Sequence, residues 1–307
     1  MRLTGTLVLV GALAAGAPSP QAPPPAAAPA AAVSADDLMA TVRTLAAPDM
    51  EGRRAGSPGG LKARAFIEGR FKAIGLEPVG DSFLHPFTAG EAAAANIIGR
   101  CPGRAPDLPV MVVSAHYDHL GQRDGATFHG ADDNASGVAG LLAIAADCQR
   151  VPFRRTALFV AFDAEEMRLA GARHFVRTPP VPIERLGLNV NLDMVARGDK
   201  GELYIAGTHH HPALAPLLAP VAAQAPIRVL FGHDRPEDGV NDWTMQSDHG
   251  PFHQAKIPFV YFGVEDHPDY HKPTDTADKI NPTFFRNAVE VILAAVRALD
   301  AGLPSPR

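Results

Sequence analysis

Two runs of the 307-residue chain, Val110–Val113 and Thr156–Phe162, are apolar almost without interruption. A strand with one wet face alternates apolar and polar residues; a strand without alternation is covered on both faces, as in a parallel sheet flanked by helices. Leu186–Leu192 reads as a third buried strand. Helical spacing follows the first two, at Ala135–Ala146 and Met167–Arg177. This βα alternation predicts a single α/β domain, a three-layer α/β/α sandwich around a mainly parallel mixed sheet.

The remaining elements fit that frame. Asp36–Ala46 has helical spacing (Leu38, Val42, Leu45) after Ser34, a plausible N-cap. A turn-rich loop, 47–60, precedes a second helix, Leu61–Gly75, with Phe66, Ile67, Phe71 and Ile74 on its buried side and a terminating glycine. Short strands are expected near Asn96–Gly99 and at Leu203–Ala206, Arg228–Phe231 and Pro258–Phe262, with helices at Ala213–Ala223 and Thr283–Leu299. There is no internal repeat.

The first residues carry one positive charge and a short apolar core followed by small residues, which predicts a secretory signal peptide over 1–17 and an exported, periplasmic or secreted protein. The Pro/Ala stretch of 18–33 cannot form a packed core and reads as a tether. Residues 34–307 form the folded domain. The formal net charge is −5, so nothing favours nucleic acid, and no later apolar run approaches the ~20 residues of a membrane span. An oxidising compartment permits a Cys101–Cys148 bridge; two free buried thiols are the other reading, and the sequence leaves both open.

Each predicted buried strand ends in acids. His116 and Asp118 follow the first, with Asp132 and Asp133 before its helix; Glu165 and Glu166 follow the second, and Asp193 the third. His271 comes from a late loop, 266–275. Helix capping could explain Asp132 or Asn134, but not also a His-x-Asp at a strand end. Parallel strands bring such ends to one sheet edge. Five or more converging carboxylates would repel one another without cations, and two divalent metals, bound by mixed His and carboxylate ligands that suit zinc, resolve that conflict.

Six ordered blocks, His116-Tyr-Asp118, Gly130–Gly137, Asp163-Ala-Glu-Glu166, Asn191-Leu-Asp193, Ser247–Phe252 and Tyr270-His271, resemble the secreted zinc aminopeptidases, whose relatives include glutamate carboxypeptidase and the glutaminyl cyclases. The resemblance covers roughly residues 36–300 and implies a zinc exopeptidase fold with two Zn²⁺ per chain. It implies that Asp133 bridges both metals, with His116 and Asp193 completing one ion and Glu166 and His271 the other. Glu165 would be the general base for a metal-bridging water, and the Asp133–Asn134 peptide would be cis. Tyr270 matches a tyrosine that in some members donates to the oxyanion; ordinary packing beside His271 is the alternative. Ser247, Asp248, His249 and Phe252 would line the substrate pocket, or cap a helix.

Asp118, on the same strand face as His116, is expected to accept the imidazole's other N–H. His119 should face away from Asp118 on an extended chain. Ser136 lacks a nucleophile elbow and reads as a helix start; His209–His211 reads as an exposed polar loop, and Trp243 has no assignable role. The expected activity is removal of N-terminal residues from peptides. A carboxypeptidase, dipeptidase or glutaminyl cyclase on the same site is the alternative, followed by a non-catalytic binding ectodomain. No long insert separates the N-terminal helices from His116, where larger relatives carry a further domain. Side-chain preference and oligomeric state are not encoded legibly.

Overall fold

The computed structural model describes Met1 and residues 33–303. The expected signal peptide and tether lie outside the described residues apart from Met1 and Val33. In chain order the elements are α1 (Ala35–Leu45), α2 (Pro58–Ile74), β1 (Glu77–Pro78), β2 (Leu84–Ala89), β3 (Ala92–Cys101), β4 (Val110–His116), β5 (Gly121–Arg123) and β6 (Ala126–Phe128). There follow α3 (Gly137–Arg150), β7 (Ala157–Phe162), α4 (Ala170–Arg177), β8 (Leu186–Leu192), β9 (Glu202–Ala206), α5 (Ala215–Gln224), β10 (Arg228–Phe231), α6 (His249–Gln254), β11 (Phe259–Gly263) and α7 (Pro282–Gly302).

Local chemistry sets the helix ends. The Ser34 hydroxyl accepts the Asp37 N–H at the start of α1, and the Ser57 hydroxyl accepts the Gly60 N–H at the start of α2, where Pro58 occupies the first turn. Gly75 ends α2 at φ 87°, a left-handed position that glycine adopts without steric cost.

The main sheet runs β1-β3-β7-β4-β8-β11-β9-β10, with β2 paired to β3. Its centre, β7-β4-β8-β11, is parallel; β3 and β9 flank it antiparallel, and β10 returns parallel to β9. The sheet is therefore mixed with a parallel heart. The β2–β3 hairpin was not expected: β3 runs ten residues where the sequence suggested four, because Ala92–Ala95 pairs with Phe87, Thr88 and their neighbours.

Successive residues of each central strand enter opposite cores. Met111, Val113 and Ala115 of β4, with Ala157, Phe159 and Ala161 of β7, pack in the larger core with Val42 of α1, Phe71 of α2, Leu141 of α3 and Ile292 of α7. Val110 and Val112, with Leu158 and Val160, pack in the smaller core with Phe175 of α4 and Phe252 of α6. Helices on both faces explain why the strands lack alternation. A disulfide joins Cys101, at the end of β3, to Cys148 of α3.

Parallelism fixes where chemistry collects. β4 and β7 run in register, His116 opposite Phe162, and β4 pairs with β8 through Ser114 and Asn191. The segments that follow these strands therefore emerge at one sheet edge, together with the loop after β11.

Candidate metal centre

His116 is the last residue of β4. Its Nε2 lies 3.2 Å from Asp193 Oδ1, just past β8, and 3.3 Å from Asp133 Oδ1. Its Nδ1 faces the Asp118 backbone carbonyl at 3.2 Å, which leaves Nε2 as the ligand nitrogen. The expected partner was the Asp118 carboxylate; its Oδ1 is 3.8 Å away and instead accepts the Glu165 N–H at 2.9 Å. Asp118 thus acts twice, its carbonyl on His116 and its carboxylate on the loop that carries Glu165.

The other oxygen of Asp133 faces a second group. Asp133 Oδ2 is 3.1 Å from His271 Nε2 and 3.6 Å from His119 Nδ1. Glu166 Oε1 lies 3.0 Å from His119 Nδ1 and 3.5 Å from His271 Nε2. Two sets of ligand atoms result, His116–Asp133–Asp193 and His119–Asp133–Glu166, each lying within 4.8 Å of one another and sharing Asp133. His271 borders the second set.

His119, expected only to face away from Asp118, lies in the second set. Strand β4 ends at His116, and the His119 N–H reaches the Arg53 carbonyl, so two-residue alternation no longer governs the side chain.

Asp133 Oδ2, Glu166 Oε1 and both His119 nitrogens are buried without a hydrogen bond. Buried polar atoms are normally satisfied, and orphans that converge are what a cation site leaves. The donor chemistry, imidazole and carboxylate at tetrahedral-sized spacing, fits zinc.

The field of the site separates its two adjacent glutamates. Burial raises Glu166, as does Asp133, but His119 and His271 outweigh them and hold it below the usual carboxylate range. Burial, reinforced by Asp248, Asp193 and its neighbour Glu166, pushes Glu165 well above that range against the pull of His116. Opposed shifts in a pair of carboxyls mark different chemical roles. His271, although burial lowers it, is held up at about 10 by Asp133 and Glu166.

The backbone around the site is constrained. The Asp133–Asn134 peptide is cis. Ala164, Met194 and His271, each in or beside a site loop, adopt left-handed φ of 57°, 58° and 53°, strain of the kind found where a scaffold aims functional side chains.

Two buried groups hold the Asp133 segment. Asp275 accepts the N–H groups of Asp132 and Asp133 at 3.1 Å. The Arg53 guanidinium donates to the carbonyls of Tyr117, Leu45, His129 and Gly130 at 2.6–2.9 Å. Neither was singled out from sequence; Asp275 closes the late acidic loop and offered a signal, whereas Arg53 lay unmarked in a turn-rich loop. Asp132 sits behind the site, its Oδ1 accepting the Ala196 N–H and its Oδ2 facing His267. Ser136 bonds the Asp132 carbonyl and the Val195 N–H, a structural part.

The ligands open into a cavity of about 250 Å³ walled also by Arg168, Leu169, Met194, Gln246 and Tyr270. Tyr270 stacks on His271 with ring centroids 3.9 Å apart, and burial holds its hydroxyl protonated. The expected pocket residues Ser247, Asp248, His249 and Phe252 do not wall this cavity. All four are buried: Ser247 bonds Asp193, His249 stacks on Phe259, and Phe252 packs against Phe162 and Phe175. The cause is the short helix α6, which turns this motif inward behind the ligands and leaves Gln246, just before it, at the surface of the cleft. His209–His211 lies apart from both ligand sets.

Residues 96–296 match the family model described as Peptidase family M28. Aminopeptidase YwaD of Bacillus subtilis (strain 168) is 30% identical over 211 residues, an alignment covering 66% of this chain and 44% of that protein. BOS complex subunit NCLN of Canis lupus familiaris is 27% identical over 226 residues, covering 66% of this chain and 40% of that one. The chain thus spans less than half the length of these relatives. Among solved structures, an aminopeptidase from Aneurinibacillus sp. strain AM-1 superimposes with a TM-score of 0.69 at 18% identity, covering 89% of this chain and 95% of that one. The Legionella pneumophila LapA aminopeptidase gives 0.70 at 19%, covering 89% and 72%. The fold is shared with these structures, and a match spanning more than half of the sequence, running through every strand end that carries a candidate ligand, makes this chain a member of peptidase family M28.

Proposed function

We propose that this protein is an exported, two-zinc aminopeptidase that removes N-terminal residues from peptides. The observation that carries this reading is the pair of buried ligand sets sharing Asp133, with Glu165 beside them and oppositely shifted from Glu166. His116, Asp133 and Asp193 would hold one ion, and Asp133, Glu166 and His271 the other, with His119 lying against the second. Zinc bound there would supply Lewis acidity toward the scissile carbonyl and a water acidified for attack.

The residues of the chain do the rest. Glu165, whose backbone N–H is held by Asp118, is pushed well above the usual carboxylate range by burial, a direction that suits a carboxyl that takes and returns a proton. It would receive a proton from the attacking water and deliver it to the leaving amine. The protonated Tyr270 hydroxyl, at the cavity wall, is available to donate to the developing oxyanion. The acidic wall of Asp133, Glu165, Glu166 and Asp193 suits the free ammonium of a substrate and partly offsets its desolvation.

Export is supported by the Cys101–Cys148 disulfide, a bond that persists in oxidising compartments. No helix among the described residues is long and apolar enough to cross a membrane. The test of the activity is a set of aminoacyl amides, free and N-acetylated, given to zinc-loaded protein. Free substrates should be cleaved and acetylated ones left intact, with C-terminal amidation making little difference. Cleavage of blocked substrates that depends on a free C-terminal carboxylate would replace the aminopeptidase by a carboxypeptidase.

A further inference from the structure

The metal cavity is acidic, yet its wall includes one arginine. Arg168 lies three residues beyond Glu165 at a left-handed φ of 66°, exposed at the mouth. It is the only lysine or arginine among the residues that line the cavity. The same side chain also lines an adjoining open groove of about 390 Å³ with Thr88, Met167, Arg173 and Arg177. Arg168 therefore joins the cavity to the groove.

The groove is cationic without a resident counter-charge. Arg173 and Arg177 are exposed, four residues apart on one face of α4, and no carboxylate forms an ion pair with Arg168, Arg173 or Arg177 among the described residues. Arg177 gains something from the C-terminal end of the helix dipole. That does not extend to Arg168, which precedes the helix, and like charges four apart on a helix are mildly unfavourable. The cluster stands out further in a chain whose net charge is −5.

Resting on the aminopeptidase reading, we infer that this groove receives the part of the substrate downstream of the scissile bond and selects peptides with acidic residues there. If the N-terminal residue and its ammonium are held at the acidic metal centre, the chain that leaves the cavity is the C-terminal remainder. Leaving past Arg168 brings that remainder against Arg173 and Arg177. Carboxylate side chains are complemented in the groove; guanidinium groups pair with them in planar, bidentate fashion. The substrate thus lies with its N-terminus at the metals and its acidic remainder along α4.

The experiment uses zinc-loaded full-length protein and two C-terminally amidated peptides, Leu-Ala-Glu-Glu and Leu-Ala-Gln-Gln, each with a free N-terminus. At low salt the Glu peptide should show kcat/KM higher by roughly three- to ten-fold, the scale of a few exposed ion pairs, and mainly through KM. Salt should shrink the difference. The combined variant Arg168→Gln, Arg173→Gln, Arg177→Gln should bring the ratio to about one, while the corresponding triple Lys variant keeps a preference. Equal rates for the two peptides on the wild type, or a preference that survives the triple Gln change in protein of unaltered melting temperature, would overturn the inference. A leucyl anilide, which has nothing downstream, separates the two layers: its cleavage without discrimination between the peptides leaves the aminopeptidase standing and removes the groove. If the anilide and both peptides stay intact, the activity falls, and the groove is judged by dye-labelled Glu and Gln peptides. Tighter binding of the Glu peptide upholds acidic-peptide recognition and equal binding ends it.

Discussion

The Ser247 hydroxyl donates to Asp193 Oδ2 at 2.7 Å, and this bond closes a directed chain through the sheet. Asn189 Nδ2 donates to Ser114 Oγ, Ser114 Oγ to Asn191 Oδ1, and Asn191 Nδ2 to Ser247 Oγ, all at 2.7–2.9 Å and all buried. Every hydroxyl and amide in it donates toward the carboxylate, so each bond polarises the next. One oxygen of Asp193 is thereby committed to the protein, and Oδ1 is left facing His116.

Ser247→Ala breaks this chain at its last link. It frees Asp193 to rotate and leaves the buried Asn191 amide without its acceptor. We expect a fall of about 10- to 100-fold in affinity for the ion at His116, the usual cost of removing a group that orients a metal ligand. Titration with a zinc-chelating dye checks it. Unchanged affinity at both sites would mean that Asp193 is held by β8 alone.

Glu165→Gln and Glu166→Gln differ by one position and should fail differently. The first keeps the shape of the side chain and removes the proton acceptor, so zinc content should hold while kcat falls by about 10²–10⁴-fold. The second removes a carboxylate that faces His119 and His271, so zinc content itself should drop. Metal analysis of dialysed protein alongside single-turnover rates tells the two apart, and the reverse pattern would exchange their roles.

Residue type at a strand end made most of the candidate site visible in the sequence, while His271 came from a late loop and the ligand roles from the resemblance. His116, Asp133, Glu165, Glu166 and Asp193 follow apolar runs that can only be buried strands, and parallel pairing does the rest. What escaped depended on where the chain stops being regular. His119 was left out of the ligand candidates because alternation was carried three residues past the end of β4. Phe252 was placed in the substrate pocket by the resemblance of its motif, but α6 turns it into the core with Phe162 and Phe175. The β2–β3 hairpin was hidden by its alanines, which carry little strand preference.

Arg53 was invisible for a different reason. Its role comes from carbonyls supplied by Leu45, Tyr117, His129 and Gly130, which no local pattern brings together. Arg53→Met preserves bulk but leaves these buried acceptors without their donor, at about 1–3 kcal/mol for each group that water cannot reach. A loss of at least about 3 kcal/mol in unfolding free energy is expected, with weakened zinc binding because the Asp133 loop is no longer tied down. Denaturant unfolding measures the first and dye titration the second. A variant as stable as the wild type would show that water enters and satisfies the carbonyls.

His249 gives the protein an acid sensitivity that does not require metal. Its ring is buried between Phe259 and Tyr261, with Nε2 against the Trp243 carbonyl. Burial pushes it from 6.5 down to about 3, so between those values the unfolded chain binds a proton that the folded chain refuses. Stability from this group is therefore complete above about pH 6.5 and is lost as pH falls toward 3, by about 1.4 kcal/mol per unit. The adjacent Asp248 acts in the opposite sense: burial pushes it up to about 7, so its contribution is present at low pH and is lost as pH rises from 3.8 toward 7. The two partly cancel in the wild type, and a single stability curve would conceal both. His249→Gln removes one of them while keeping an amide that can reach the Trp243 carbonyl. In the presence of chelator, the wild-type minus variant unfolding free energy should rise with pH by about 1.4 kcal/mol per unit between about pH 3 and 6.5 and then level off. Any constant cost of the substitution moves this line without changing its slope. Parallel curves for the two proteins would mean that the folded state accepts the proton on His249 as readily as the unfolded chain does.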